Sequence, residues 1–288
     1  MRAAVAVAAV AAAAAIALAG CRVEIGSDGN GVRLSVPPAA RVAKIEELRT
    51  TVGEARSIAV ETAAGDISLA PTETLGQASV RATVWAPSDE DLRRVRVVLE
   101  TRDGVLRVGY EVDGDRHGIA VAFEVAAPPD LPARLRSSAG TIRVGGWGAA
   151  VAARTSAGDV HTEVVAGDQD LSSSAGSILV SAAEGAVNAE TGAGDVRVAG
   201  RLRGDCSLRS SAGRVEVFLP TDSRLRFSGS TSAGSVRCAF RVTLVERPVG
   251  GGFEGVVGDG GEGTLRLRSS AGDVVVESIS GVPRLPGR

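Results

Sequence analysis

Hydroxyl groups recur in this sequence at a fixed interval. Ser137, Thr155, Ser173, Thr191, Ser210, Thr231 and Ser269 each stand three residues before a glycine, in the phrase Ser/Thr-x-Ala-Gly. A row of nucleophiles needs a base beside each member, and none is repeated here, since the chain has only His117 and His161. Ser and Thr at such positions suit a structural task, satisfying backbone groups exposed at a turn. A second candidate is Asp113-Gly114-Asp115-Arg116-His117-Gly118 with Glu124 in the twelfth position, close to a calcium-loop spacing. His117 stands where Asp or Asn is usual and both flanks read as strands, so a hairpin turn is the better expectation. A calcium β-roll needs an acidic ligand at every corner. The position after the glycine instead runs Thr141, Asp159, Ser177, Asp195, Arg214, Ser235 and Asp273.

Cys206 and Cys238 lack the spacing of a zinc site and occupy different columns, so free buried thiols are expected. No metal or cofactor is expected. Arg136, Arg154, Arg209 and Arg268 share one outward column with Ser172, Glu190 and Ser230, a candidate face for an anionic polymer. A glycan-cleaving enzyme would need clustered carboxylates and an assembled nucleophile, base and acid, and no such set is legible. Gly192-Ala193-Gly194 opens no helix and is a corner rather than a phosphate loop.

The elements that hold these side chains follow from the glycines. Gly140, Gly158, Gly176 and Gly194 are 18 residues apart, and the further steps to Gly213, Gly234 and Gly272 are 19, 21 and 38. A fixed period means stacked coils. Residues seven, five, three and one before each glycine share one strand face, and residues two and four after it share another. Both faces are mostly aliphatic: Leu135, Leu171, Leu208 and Leu267 before, Ile142, Val160, Ile178 and Val196 after. The inward parity changes across the glycine, so the chain turns a corner there, where a residue without Cβ costs least. Gly167, Gly185 and Gly204 mark the opposite corner. The fold expected is all-β: a flattened β-solenoid of two short strands per coil, stacked in parallel at ~4.8 Å per rung.

Met1-Arg2 followed by an apolar run from Ala3 to Ala19 has the form of a secretory signal, too short for a comfortable span. It ends Leu18-Ala19-Gly20-Cys21, which resembles a bacterial lipobox and implies cleavage before Cys21 and lipid on its sulfur. The expected organisation is a signal over 1–20, a lipidated Cys21 and flexible tether over 21–44, and an irregular β section over 45–132. Regular coils follow over 133–278, with a Gly-rich insertion near 241–263, and a tail over 279–288 placed to block the open edge. Loss of Arg2 changes the formal charge from −2 to −3, which gives no reason to expect nucleic-acid binding.

Tether, irregular strands, the Pro128-Pro129 joint, the coils and a last Leu265-x-Leu267-x-Ser269-Ser270-Ala271-Gly272-Asp273-Val274 unit resemble a bacterial β-strand-repeat family described by the words "putative adhesin". The resemblance covers about Ile45 to Ser278 and implies a β-helix on the cell envelope, with no family catalytic residues to carry over. The first expectation is thus an exported, lipid-anchored, non-enzymatic protein for adhesion or scaffolding. Its partners would be a membrane through Cys21 and an envelope glycan or another envelope protein. The alternatives are a sensor or regulatory binding module for envelope stress and, third, a glycan-active enzyme.

Overall fold

The structure is a computed structural model describing residues 22–25, 32–35, 42–240, 243–246 and 252–280. Within the stretch expected as a tether, β1 (Arg22–Ile25) and β2 (Val32–Ser35) pair antiparallel as a small sheet of their own. From β3 (Val42–Thr51) onward the chain builds two large sheets. The early copy of the repeat phrase forms β4 (Ser57–Ala64) and β5 (Ile67–Pro71), one strand to each sheet. Next come β6 (Gln77–Ala86), a short helix α1 (Asp89–Arg93), β7 (Val95–Arg102), β8 (Val105–Val112) and β9 (Ala120–Ala127). Ser88 starts α1 by accepting the N–H of Asp91 on its hydroxyl at 3.2 Å. β7 and β8 form the hairpin expected around Asp103-Gly104, with Arg102 opposite Val105.

The regular coils are β10 (Ala133–Ala139) with β11 (Ile142–Trp147), β12 (Val151–Ala157) with β13 (Val160–Val165), and β14 (Gln169–Ala175) with β15 (Ile178–Ala183). They continue as β16 (Val187–Ala193) with β17 (Val196–Gly200), β18 (Gly204–Ala212) with β19 (Val215–Pro220), and β20 (Arg226–Ala233) with β21 (Val236–Cys238). Then come β22 (Thr243–Glu246), β23 (Gly252–Val256) and a last coil of β24 (Gly263–Ala271) with β25 (Val274–Ile279). Partners in neighbouring coils pair in parallel and lie 18 residues apart at first: Ala133 opposite Val151, Val151 opposite Gln169, Gln169 opposite Val187. The Gly-rich insertion near 241–263 contains two strands, β22 and β23, and β23 pairs antiparallel with both β20 and β22.

Coil order departs from chain order at both ends. The twelve-stranded sheet runs β22-β23-β20-β24-β18-β16-β14-β12-β10-β4-β8-β7, and the eleven-stranded sheet runs β21-β25-β19-β17-β15-β13-β11-β5-β9-β6-β3. At the first end, the Gly65 coil sits directly against the Gly140 coil, with Ile58 opposite Ala133. The chain between them supplies β6 to β9, which extend the stack and shield its end. At the other end the last coil is not the outermost one, and the tail expected to block the edge lies, from residue 281 on, outside the described residues. β24 lies between β18 and β20, and β25 between β19 and β21, so the last coil fills a gap inside the stack. The outermost strands there are β22, in the antiparallel β22–β23 unit, and the three-residue β21. Short or hairpin-covered edges of this kind limit unwanted strand pairing.

The core lies between the sheets and follows the expected columns. Leu135, Leu171, Leu208 and Leu267 of one sheet and Ile142, Val160, Ile178, Val196, Val215 and Val274 of the other are all buried. Burial of each such side chain contributes about 1.5–3 kcal/mol relative to leaving it in water. Val236 and Cys238 occupy the same columns yet are only half-buried, because β21 ends its sheet and has a neighbour on one side. Trp147 plugs the second corner of its coil, fully buried, its indole N–H donating to the Leu131 carbonyl at 2.9 Å.

Candidate functional site

The repeated hydroxyls are spent on the backbone. The hydroxyl of Thr155 donates to the carbonyl of Gly140 at 3.0 Å, Ser173 to Gly158 at 2.9 Å, Thr191 to Gly176 at 2.7 Å and Ser210 to Gly194 at 2.8 Å. The ladder follows spatial order: Ser269 donates to Gly213, and Thr231 to Gly272. Each corner glycine needs to be glycine because a Cβ on Gly176 would fall 2.0 Å from the Gly158 carbonyl oxygen of the coil below, at a φ of +149°.

Acidic residues after the glycine serve the same corner. Asp66 accepts the N–H of Thr141, Asp159 that of Ser177, Asp195 that of Arg214 and Asp273 that of Ser235, at 2.8–2.9 Å. In one step Ser177 takes the acceptor role toward the Asp195 N–H. These carboxylates are backbone caps. The N–H and hydroxyl of Ser235 hold the Asp273 carboxyl below the usual carboxylate range.

Among the described residues no group of three metal-ligating side chains comes together. In the Asp113–Gly118 segment, Arg94 Nε donates to the Asp113 carbonyl at 2.5 Å and Asp115 accepts the His117 N–H at 3.1 Å. Glu124 lies away from that turn, on β9, facing Arg81 at 3.7 Å. Cys206 and Cys238 are free thiols on different sheets. Burial pushes both thiols up, which keeps them protonated and unreactive. Cys21 lies outside the described residues.

The arginine column is where the site residues do come together. On the outer face of the twelve-stranded sheet, Arg136 lies opposite Arg154, Arg154 opposite Ser172, Ser172 opposite Glu190, Glu190 opposite Arg209, and Arg209 opposite Arg268. All four arginines are exposed, and Arg154 donates to Asp170 at 2.9 Å. Arg154 and Arg209 bound a shallow polar depression of about 470 Å³ whose floor and rim include Asp170, Ser172, Asn188, Glu190 and Ser207. The column six residues before the glycine adds Arg134, Asp170, Asn188, Ser207 and Arg266 to this face. Its outward parity was available from the sequence, but its residue types are mixed, so it carries no visible signal.

No curated protein is a significant sequence match to this chain. Solved structures that match the chain include three with the following likeness. A "putative cell adhesion protein" from Clostridium sporogenes ATCC 15579 is 9% identical, with 83% of this chain and 100% of that one covered and a TM-score of 0.39. A "putative adhesin" from Bacteroides fragilis NCTC 9343 is 13% identical, with 82% and 97% covered and a TM-score of 0.41. Another "putative adhesin", from Parabacteroides distasonis ATCC 8503, is 10% identical, with 82% and 97% covered and a TM-score of 0.35. Likeness at this level carries nothing about activity. The profile of the Toastrack DUF4097 family matches residues 43–277, from within β3 to within β25, and the chain belongs to that family.

Proposed function

We propose that this protein is a non-enzymatic component of the bacterial cell envelope, held to a membrane through lipid on Cys21, which presents the outer face of its twelve-stranded sheet for adhesion or scaffolding. The observation that carries this reading is the use made of the repeat. Its hydroxyls and corner carboxylates bond to the backbone of neighbouring coils, so the recurring chemistry serves a rigid rack and the exposed sheet face is left for contact. A stack whose coils contact chiefly their neighbours extends a long flat surface from a small sequence unit. The lipobox resemblance at Leu18-Ala19-Gly20-Cys21 supports the anchor, since one acyl chain holds a protein only marginally whereas several hold it stably.

The test is fractionation of cells producing the full chain or its Cys21→Ala variant, with metabolic labelling by a radioactive fatty acid. The expected result is label and membrane association in the wild type and neither in the variant. Wild-type chain recovered unlabelled from the soluble fraction would remove the anchor, and with it the envelope reading.

A further inference from the structure

The outer face of the twelve-stranded sheet carries two groups of arginines. Arg134 and Arg136 on β10 neighbour Arg154 on β12, and Arg209 on β18 lies opposite Arg268 on β24, with Arg266 two residues before. Among the described residues, Arg134, Arg136, Arg209, Arg266 and Arg268 have no acidic partner at ion-pair distance, and all are exposed. On the other sheet Arg143 is held by Asp66 and Arg197 by Glu216, while Arg49 and Arg237, at its two ends, have no acidic group at ion-pair distance among the described residues. Between the two groups lie three strand steps, on the order of 14 Å at ~4.8 Å per step. That interval is the polar depression, where Glu190 has no cationic partner among the described residues and Asp170 has only Arg154. Beside it Ser156, Ser174 and Ser211 expose hydroxyls that bond to nothing among the described residues.

We propose that this face binds a linear glycan bearing carboxylates at intervals, with uncharged sugars between them, laid along the stack. The inference rests on the surface-presenting reading above and narrows it to one ligand class. Guanidinium groups match carboxylates in a two-pronged geometry, and the two arginine groups supply them at separated points. The hydroxyl, amide and carboxylate groups of the depression suit sugar hydroxyls. A polymer charged at every unit is disfavoured, because it would bring an anion over Glu190 while that carboxylate is ionised. None of the residues named on this face is aromatic, so recognition is polar and sensitive to salt.

The test is retention of three polymers by the immobilised full chain: hyaluronan, whose carboxylated and uncharged sugars alternate, uncharged dextran, and polyphosphate. The expected result is hyaluronan retained at low ionic strength and released as salt rises, dextran not retained, and polyphosphate held more weakly than hyaluronan. Joint substitution R209A and R268A weakens hyaluronan binding about fivefold or more, with an unchanged melting temperature since both side chains are exposed. R143A on the opposite sheet leaves binding as it was. E190Q raises polyphosphate retention more than hyaluronan retention. The proposal is overturned if hyaluronan passes through, if the double substitution leaves its retention intact, or if the wild type holds polyphosphate as tightly. Crosslinking in cells separates this failure from a failure of the broader reading. A chain that ignores all three polymers yet pellets with membranes and crosslinks to an envelope protein keeps the surface role and loses the glycan. A chain in the soluble fraction loses both.

Discussion

Two glycines of the coils have opposite tolerances. A Cβ on Gly176 would meet the Gly158 carbonyl oxygen at 2.0 Å, whereas one on Gly145 would meet nothing within 4 Å. Gly176→Ala must therefore push neighbouring coils apart and force a left-handed backbone on alanine, at a cost of about 3 kcal/mol or more. Gly145→Ala should stay within about 0.5 kcal/mol. Thermal melts of the two variants decide the matter, and equal shifts would sink the corner assignment. Val198 and Arg197 form a second contrast. Val198 is fully buried, so Val198→Asp places an unpaired charge between the sheets and should cost about 3 kcal/mol or more. Arg197→Asp is milder but not silent, because Arg197 Nε donates to Glu216 at 2.7 Å and the substitution sets two carboxylates side by side. From the sequence alone that position reads as a neutral outward site. Period-two parity gives the direction of a side chain, while its partner in the next coil depends on the register.

The coils themselves were legible because three signals agree in each: alternation before the glycine, alternation after it, and a corner that admits no Cβ. Neighbour order was not. All the coils offer the same aliphatic columns and the same hydroxyl, so Ser269 could satisfy any corner carbonyl, and only packing of the whole chain selects Gly213. The 38-residue step from Gly234 to Gly272 signals an insertion without saying that the last coil goes between the two coils before it. This C-terminal region also holds three carboxylates whose pKa values are depressed. Asp222, between β19 and β20, is lowered by its hydrogen bond from Arg201. Asp259, after β23, is lowered by the Gly261 N–H, and Asp273 by Ser235. Each contributes stability in full above the unfolded carboxylate value of about 4, and that contribution is lost as pH falls through the lower folded value. Hydrogen exchange followed from pH 7 into acid should show β20, β21, β24 and β25 losing protection before β10 to β17. Simultaneous loss throughout, or loss beginning at β3 and β6, would count against this.

At the scale of the whole molecule, the stack behaves as a set of interchangeable rungs in its middle and as a closed unit at its end. Removal of residues 159–176 joins Gly158 to Ser177 and leaves every column in phase, since partners in this region are 18 residues apart. The shortened protein should fold with one rung fewer and a stack about 4.8 Å shorter, measurable by small-angle scattering. A collapsed or aggregated product would show that the middle rungs are not equivalent. The last coil behaves otherwise. Synthesis delivers the N-terminal segments first, so β18 and β20 exist before the strand that belongs between them. A product cut short before Gly263 is not a slightly smaller rack. It carries two unsatisfied strand edges facing one another across a missing neighbour, a state prone to aggregation and open to proteases. Seating of the last coil thus makes arrival of β24 and β25 the event that closes the stack, and copies cut short before them expose their own defect.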